Sequence, residues 1–198
     1  MPKVTEEHRL ARRQQIVDAA RRCVIEEGFH KTTMADVIRE SGLSAGAVYG
    51  YFKSKEEIVA AIAEQALGTV DELFGKLLTS EQPLSPFAAL EAALEQVIAI
   101  AERPGGDVTR VGIQAWAEAL HNPVILAIAQ GKYSYLRSHF EEVARRGQAD
   151  GTVDPSVDPR HIAQAMFGVV PGFVLQRLIM GDVDPKSYTA GLRALLRS

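Results

Sequence analysis

The sequence predicts an all-α protein of about nine helices, on three observations. Apolar residues recur at i, i+3, i+4 and i+7 along most of the chain. Strand-like alternation is absent over any useful length. Four dipeptides join a capping residue to a proline: Ser85-Pro86, Asn122-Pro123, Asp158-Pro159 and Asp184-Pro185. The cap side chain accepts from a free backbone N–H, and the proline occupies the first helical position, where its missing donor costs nothing. Each pair therefore marks a helix start.

The first helix is expected over Glu7–Glu27, with Ile16, Ala20, Cys23 and Val24 on its apolar face and Gly28 as its stop. Thr33-Met34-Ala35-Asp36 is a capping box that opens a second helix over Met34–Glu40, with Met34, Val37 and Ile38 inward. Ser41-Gly42-Leu43 is a turn, with Gly42 at the left-handed position after a helix. Ser44 caps a third helix, Ala45–Phe52. Leu43 and Val48 flank that cap at the spacing of a hydrophobic staple. Two short helices across a glycine-containing turn make a helix-turn-helix.

A third capping box, Ser54-Lys55-Glu56-Glu57, opens a fourth helix over Lys55–Leu78, with Ile58, Ile62, Ala66, Leu73 and Leu77 inward. The fifth spans Pro86–Glu102 and stops before Pro104-Gly105-Gly106. The sixth spans Val108–Leu120 and the seventh Pro123–Arg146. A loop is expected over Gly147–Val157. The eighth helix is Pro159–Met180, with a kink expected at Pro171, and the ninth Pro185–Leu196. The expected division is a three-helix head, residues 1–54, and a larger helical body, residues 55–198.

Composition fits an ordinary water-soluble globular chain: 46% hydrophobic and 24% charged residues over 198. One cysteine, Cys23, excludes an internal disulfide. Met1 to Arg13 is polar and charged, so no secretory leader is expected and the expected location is the cytoplasm. The longest apolar stretch, around Ala165–Leu175, is about half of the ~20 residues that a membrane span needs. Net charge is −3, yet it is unevenly placed. Residues 1–55 hold ten Lys/Arg against seven Asp/Glu, and the rest of the chain carries −6. A mildly basic head on an acidic body suits local phosphate binding.

The outward face of the third helix is Ala45, Gly46, Ala47, Tyr49 and Gly50. It is small, so its backbone can approach base edges closely, and alanine methyls can touch thymine methyls. Few of these side chains hydrogen-bond a base, which gives DNA shape a share in specificity. Tyr49, Tyr51, Lys53 and Lys55 flank this face with hydroxyls and ammoniums suited to phosphate oxygens.

The run Thr32-Thr33-Met34-Ala35-Asp36-Val37-Ile38-Arg39-Glu40-Ser41-Gly42-Leu43-Ser44, followed by Ala47-Val48-Tyr49-Gly50-Tyr51-Phe52-Lys53-Ser54-Lys55-Glu56-Glu57, resembles the DNA-binding head of the TetR-type regulators. The resemblance covers roughly residues 10–58. It implies a dimer of nine-helix chains, usually a repressor of a palindromic operator released by a small-molecule effector. It places Ala45, Gly46 and Ala47 at bases, and Thr33, Ser44, Tyr49, Tyr51 and Lys55 at phosphates. Gly50 departs from relatives with a bulky side chain there.

In the body, the loop Gly147…Gly151-Thr152-Val153…Val157-Asp158-Pro159 carries a further local similarity. The resemblance implies that the last two helices pair with their twofold mates. The eighth helix is apolar on two faces, Ile162/Met166/Val169/Phe173 and Ala163/Phe167/Val170/Val174, so burial on two sides is expected. Met166, Phe167, Val170, Val174, Leu178, Leu192 and Leu195 are the candidate dimer residues. Gly168 and Gly172 permit close helix approach. Candidate effector contacts are Trp116, Gln114, Tyr133, Phe140, Phe173 and Phe87, with Tyr135 and His139 nearby, since aromatic walls with a few polar groups describe many small-molecule sites. Each such aromatic is equally a core residue.

No cofactor or metal is expected. Asp150, Asp154 and Asp158 lack calcium-loop spacing, and the five histidines lack paired metal spacing. There is no phosphate loop and no GxSxG, so no enzyme is expected. The reading weighed against a ligand-responsive repressor is a small-molecule-binding or enzymatic helical domain with a vestigial head. That reading requires His139, Glu118 and Glu141 to converge. An activator with the same head is a third reading.

Overall fold

The structure, a computed structural model, describes residues 5–79, 85–104 and 106–195. The described residues form nine helices: α1 (Glu6–Glu27), α2 (Met34–Ser41), α3 (Ala45–Tyr51), α4 (Lys55–Thr79), α5 (Pro86–Ala101), α6 (Val108–Ala119), α7 (Pro123–Ala149), α8 (Pro159–Ile179) and α9 (Pro185–Leu195). The all-α expectation holds element by element. The inward positions assigned to Ala66, Leu73 and Leu77, the residue Gly105 and the helix end at Leu196 lie outside the described residues.

Three of the four proline-marked starts show the expected side-chain cap among the described residues. Asn122 Oδ1 accepts from the backbone of Val124 and Ile125, Asp158 Oδ1 from Arg160, and Asp184 Oδ1 from Lys186 and Ser187. At Ser85 the backbone carbonyl accepts from Ala89 N–H.

The seventh helix runs past its expected end to Ala149. Gly147 is helical, and the stop comes at Gly151, whose φ is +75°. Gly151 N–H donates to Gln148 O and Thr152 N–H to Gly147 O, the paired bonds of a Schellman cap. Gly147 serves space instead: a Cβ there would lie 2.6 Å from Val153 Cγ2.

The chain packs as two compact units. One comprises Met1–Ala66 and Ala101–Ala129, the other Leu67–Ile100 and Gln130–Ser198. Helices α4 and α7 each run from one unit into the other. The core of the first unit joins Ile16, Val17 and Val24 of α1 to Val37, Val48, Phe52, Ile58, Ile62, Val111 and Ile125. Burying side chains of this size contributes roughly 1.5–3 kcal/mol each, which holds α2 and α3 on a platform of α1 and α4. The core of the second unit joins Ala89, Leu90 and Ala93 of α5 to Phe140, Val143, Ala163 and Met166.

Within this second unit α8 is unusual. Its most apolar 18-residue window has a mean hydropathy of 1.5, yet only 22% of that window is buried. By length and composition alone it is also long and apolar enough to cross a membrane. It continues as helix through Pro171.

Candidate nucleic-acid interface

The helix-turn-helix is fixed by local chemistry. Thr33 N–H donates to Asp36 Oδ2 at 3.0 Å, and Asp36 N–H donates to Thr33 Oγ1 at 3.3 Å, so the capping box at α2 is complete. The Thr33 hydroxyl also donates to the same carboxylate at 2.6 Å, and Arg39 pairs with it at 2.7 Å. The hydrogen bonds from the Thr33 hydroxyl and backbone N–H, with Arg39 beside them, hold the Asp36 carboxyl below the usual carboxylate range. Gly42, at φ +67°, turns the chain, and its N–H donates to Arg39 O.

Ser44 Oγ accepts from Ala47 N–H, and Leu43 packs on the core that contains Val48. The box at α4 is modified. Glu57 N–H donates to Ser54 Oγ at 3.3 Å, whereas the Glu57 carboxylate reaches back to Lys53 N–H at 2.6 Å.

On this frame Ser44, Ala45, Gly46, Tyr49, Gly50 and Lys53 are exposed, as is Thr33. Ala47 is half-buried. Val48 is fully buried and Tyr49 is 44% exposed, so α3 turns one edge to the core and the other outward. Tyr51 packs partly on the first core. Lys53 Nζ donates to Tyr49 O at 2.6 Å and so caps the end of α3.

Lys55 is the least free of the candidates. Its ammonium donates to Phe29 O at 2.8 Å and Thr32 O at 3.0 Å, and lies 4.3 Å from the Phe29 ring centroid. An ammonium has three donors, so two are engaged within the fold.

The body candidates separate between the two units. Gln114 and Trp116 belong to the first. Gln114 Nε2 donates to Val24 O at 3.2 Å and Oε1 accepts from Phe29 N–H at 2.5 Å, so its amide is engaged with backbone at the end of α1. The other four belong to the second unit. Phe140 and Phe173 are core residues, 2% and 0% exposed. Tyr133 stacks at a tilt on Phe167, with ring centroids 5.2 Å apart, and burial pushes its hydroxyl pKa up. Phe87 lies under the Arg193 guanidinium, which is paired with Glu91.

Among the dimer candidates, Met166, Phe167, Val170 and Leu192 pack with the second core, and Val174 is 7% exposed. Leu178 is half-buried, and Leu195 stands 74% exposed. Both apolar faces assigned to α8 turn mainly into its own unit. Its exposed stripe is a different one: Ala165, Gly168, Leu175 and Ile179, with Met180 just beyond the helix end. The sequence reading missed this stripe because its small residues and polar neighbours dilute the apolar signal. It also missed the hold of Lys55 and Gln114 on residues 28–32, which no local pattern announces.

Comparison with known proteins adds to this geometry. The sequence profile described as bacterial regulatory proteins, tetR family, matches residues 16–62. The profile described as BetI-type transcriptional repressor, C-terminal, matches residues 86–198. The chain is 43% identical over 198 residues to the HTH-type transcriptional repressor Rv1474c of Mycobacterium tuberculosis, covering 97% of this chain and 95% of that protein. It is 29% identical over 191 residues to the HTH-type regulator YfiR of Bacillus subtilis, covering 96% and 91%. Among solved structures, a regulator from Saccharomonospora viridis in complex with choline superposes with a TM-score of 0.73 at 21% identity, covering 95% of this chain and 96% of that one. A SmeT–triclosan complex gives 0.72 at 22% identity, covering 85% and 81%. At these identities the solved structures speak for the fold alone.

Proposed function

The chain belongs to the TetR family of bacterial transcriptional regulators, and from that premise we propose that it is a homodimeric repressor whose two heads grip a roughly palindromic operator. The family comprises DNA-binding regulators, which sets aside the enzymatic reading. The proposed functional division is a DNA-binding head, residues 1–54, and a ligand-binding and dimerisation body, residues 55–198. The proposed site of action is the bacterial cytoplasm, where its DNA lies.

The observation that carries this reading is the capped pair α2–α3, with Val48 in the core and the small edge of α3 facing outward. Such a helix enters a major groove, and a dimer places two of them one helical turn apart. Ala45, Gly46 and Ala47 then face base edges. Ser44, Tyr49, Lys53 and Lys55 face phosphates, with Thr33 and Tyr51 at the margin. Of these hydroxyls, Thr33 is drawn to Asp36, whereas Ser44 Oγ accepts from Ala47 N–H, which keeps its proton available for a phosphate oxygen.

The exposed apolar residues of α8 and α9 support a twofold partner. A small-molecule effector is in keeping with structures of this fold solved with triclosan and with choline. An effector shifts the balance of states only through different affinity for each. Within the second unit, Tyr133 and Phe87 are the proposed effector contacts.

The test is fluorescence anisotropy on duplex DNA from upstream of the protein's own gene. At moderate salt, affinity for one sequence is expected to exceed that for scrambled duplex by at least about 10³. A flat response to sequence overturns the reading.

Gly50 supplies a sharper prediction. A Cβ at Gly50 meets nothing within 4 Å, and its backbone is not in the left-handed region. Nothing in the fold explains a glycine in the last turn of α3, where it is up to about 1 kcal/mol worse than alanine. Gly50→Ala is expected to raise Tm by up to about 2–4 °C with specific binding retained, because the family that the head resembles accommodates bulkier side chains at this position. A lower affinity instead places the Gly50 backbone in close contact with the DNA.

A further inference from the structure

The geometry points to Gln114 of α6 as the residue that positions the DNA-binding head and couples it to α6. This inference rests on the regulator reading above.

Its basis is the short connection between α1 and α2. Gly28, at φ +90°, ends α1, and Thr33 caps α2. Between them, Phe29 is 3% exposed and Thr32 is 1% exposed. Thr32 closes the turn on itself, with both its N–H and its hydroxyl donating to Gly28 O.

The turn is then gripped from two sides at one residue. Gln114 Oε1 accepts from Phe29 N–H, and Gln114 Nε2 donates to Val24 O. Lys55, the first residue of α4, donates to the carbonyls of Phe29 and Thr32. One backbone partner of Gln114 is a donor and the other an acceptor, so an amide of this length serves both and a carboxylate serves one.

These bonds tie α6, the end of α1, the turn up to Thr32 just before the cap of α2, and the start of α4 into one junction. A buried backbone N–H left without its acceptor is costly, so a shift of α6 either breaks the junction or drags the turn along. The residue next to Thr32 is the cap of the helix-turn-helix, so the drag is delivered to α2 and α3. Linkage requires the converse as well: DNA bound at α3 must be felt at α6.

The converse makes the test independent of any effector. Hydrogen exchange is measured on the full chain, free and bound to the operator duplex found by anisotropy, for the wild type and for Gln114→Met. Methionine keeps the length and loses both bonds. In the wild type, operator is expected to slow exchange in α6 at least about fivefold. In Gln114→Met the slowing in α6 is expected to vanish, while the slowing in α2 and α3 persists.

Each protein is compared with itself, so a general loss of stability cancels. Should Gln114→Met fail to fold, Gln114→Ala, which also makes neither bond and leaves room for water at Phe29 N–H and Val24 O, carries the same comparison. An α6 response that survives the substitution, or a wild-type α6 that ignores the operator, overturns the inference. A wild type with no sequence preference overturns the regulator reading itself.

Discussion

Replacing Leu175 and Ile179 together by glutamate is expected to turn the protein into a monomer and to weaken operator binding at least about a hundredfold. Leu175 is 45% exposed, Ile179 69%, Met180 66% and Leu195 74%. The first two lie one helical turn apart on α8, and Gly168 extends their line, since a Cβ placed on it would meet nothing within 4 Å. Gly172 differs only in facing α9: a Cβ there would lie 3.4 Å from the Tyr188 hydroxyl, close to an ordinary contact.

An isolated exposed leucine needs no explanation, but several large apolar residues exposed on α8, just beyond it and on α9 support the proposed twofold surface. Two carboxylates placed inside a twofold seam meet their own copies and must be desolvated. The binding loss follows from linkage. A dimer presents its second head at high effective concentration, and losing that advantage removes about 10²–10⁴ in avidity. Sedimentation gives the mass and anisotropy the affinity. If α8 has no partner, these are surface substitutions worth within about 0.5 kcal/mol, and both readouts stay at wild-type values.

Lys55→Met is expected to act twice. It removes two hydrogen bonds from a charged donor and the contact with the Phe29 ring. Bonds of this kind contribute about 1.5–3 kcal/mol each in favourable settings. Lys55 is half-buried, which puts the expected loss at the low end, about 3 kcal/mol for the two bonds together, read as a lower Tm. The third N–H remains for a phosphate, so the slope of log affinity against log salt is expected to fall by about one. Binding weakens for every sequence alike, since phosphates carry no sequence information. An unchanged Tm contradicts the role of Lys55 in holding residues 28–32. An unchanged slope removes it from the phosphate contacts.

Much of the fold was legible because its signals are local. A cap and the N–H it accepts from are two or three residues apart, so Asn122, Asp158, Asp184, Thr33 and Ser44 announce their helices without help from the rest of the chain. The staple of Leu43 and Val48 is equally short-range. The end of α7 was misplaced for a related reason. Gly147 and Gly151 look alike in sequence, and what separates them is the approach of Val153 to Gly147, a contact that forms only after the chain has turned.

The candidate site divides in the same way. Sequence alone determined the all-helical class, the capped helix-turn-helix, the outward edge of α3 and the family, since each depends on residues within a turn or two of one another. Tertiary structure decided what the long side chains do. Lys55 reads as a solvated cation until Phe29 and Thr32 are brought against it, and Gln114 reads as a pocket wall until α6 is laid on α1, with Phe29 85 residues away in the chain. It also decided which stripe of α8 stays outside, because both apolar faces legible in the sequence pack mainly inward and a third, Ala165, Gly168, Leu175 and Ile179, is left exposed. Burial and hydrogen bonding are properties of neighbours in space, and the chain order specifies those neighbours only through the whole fold.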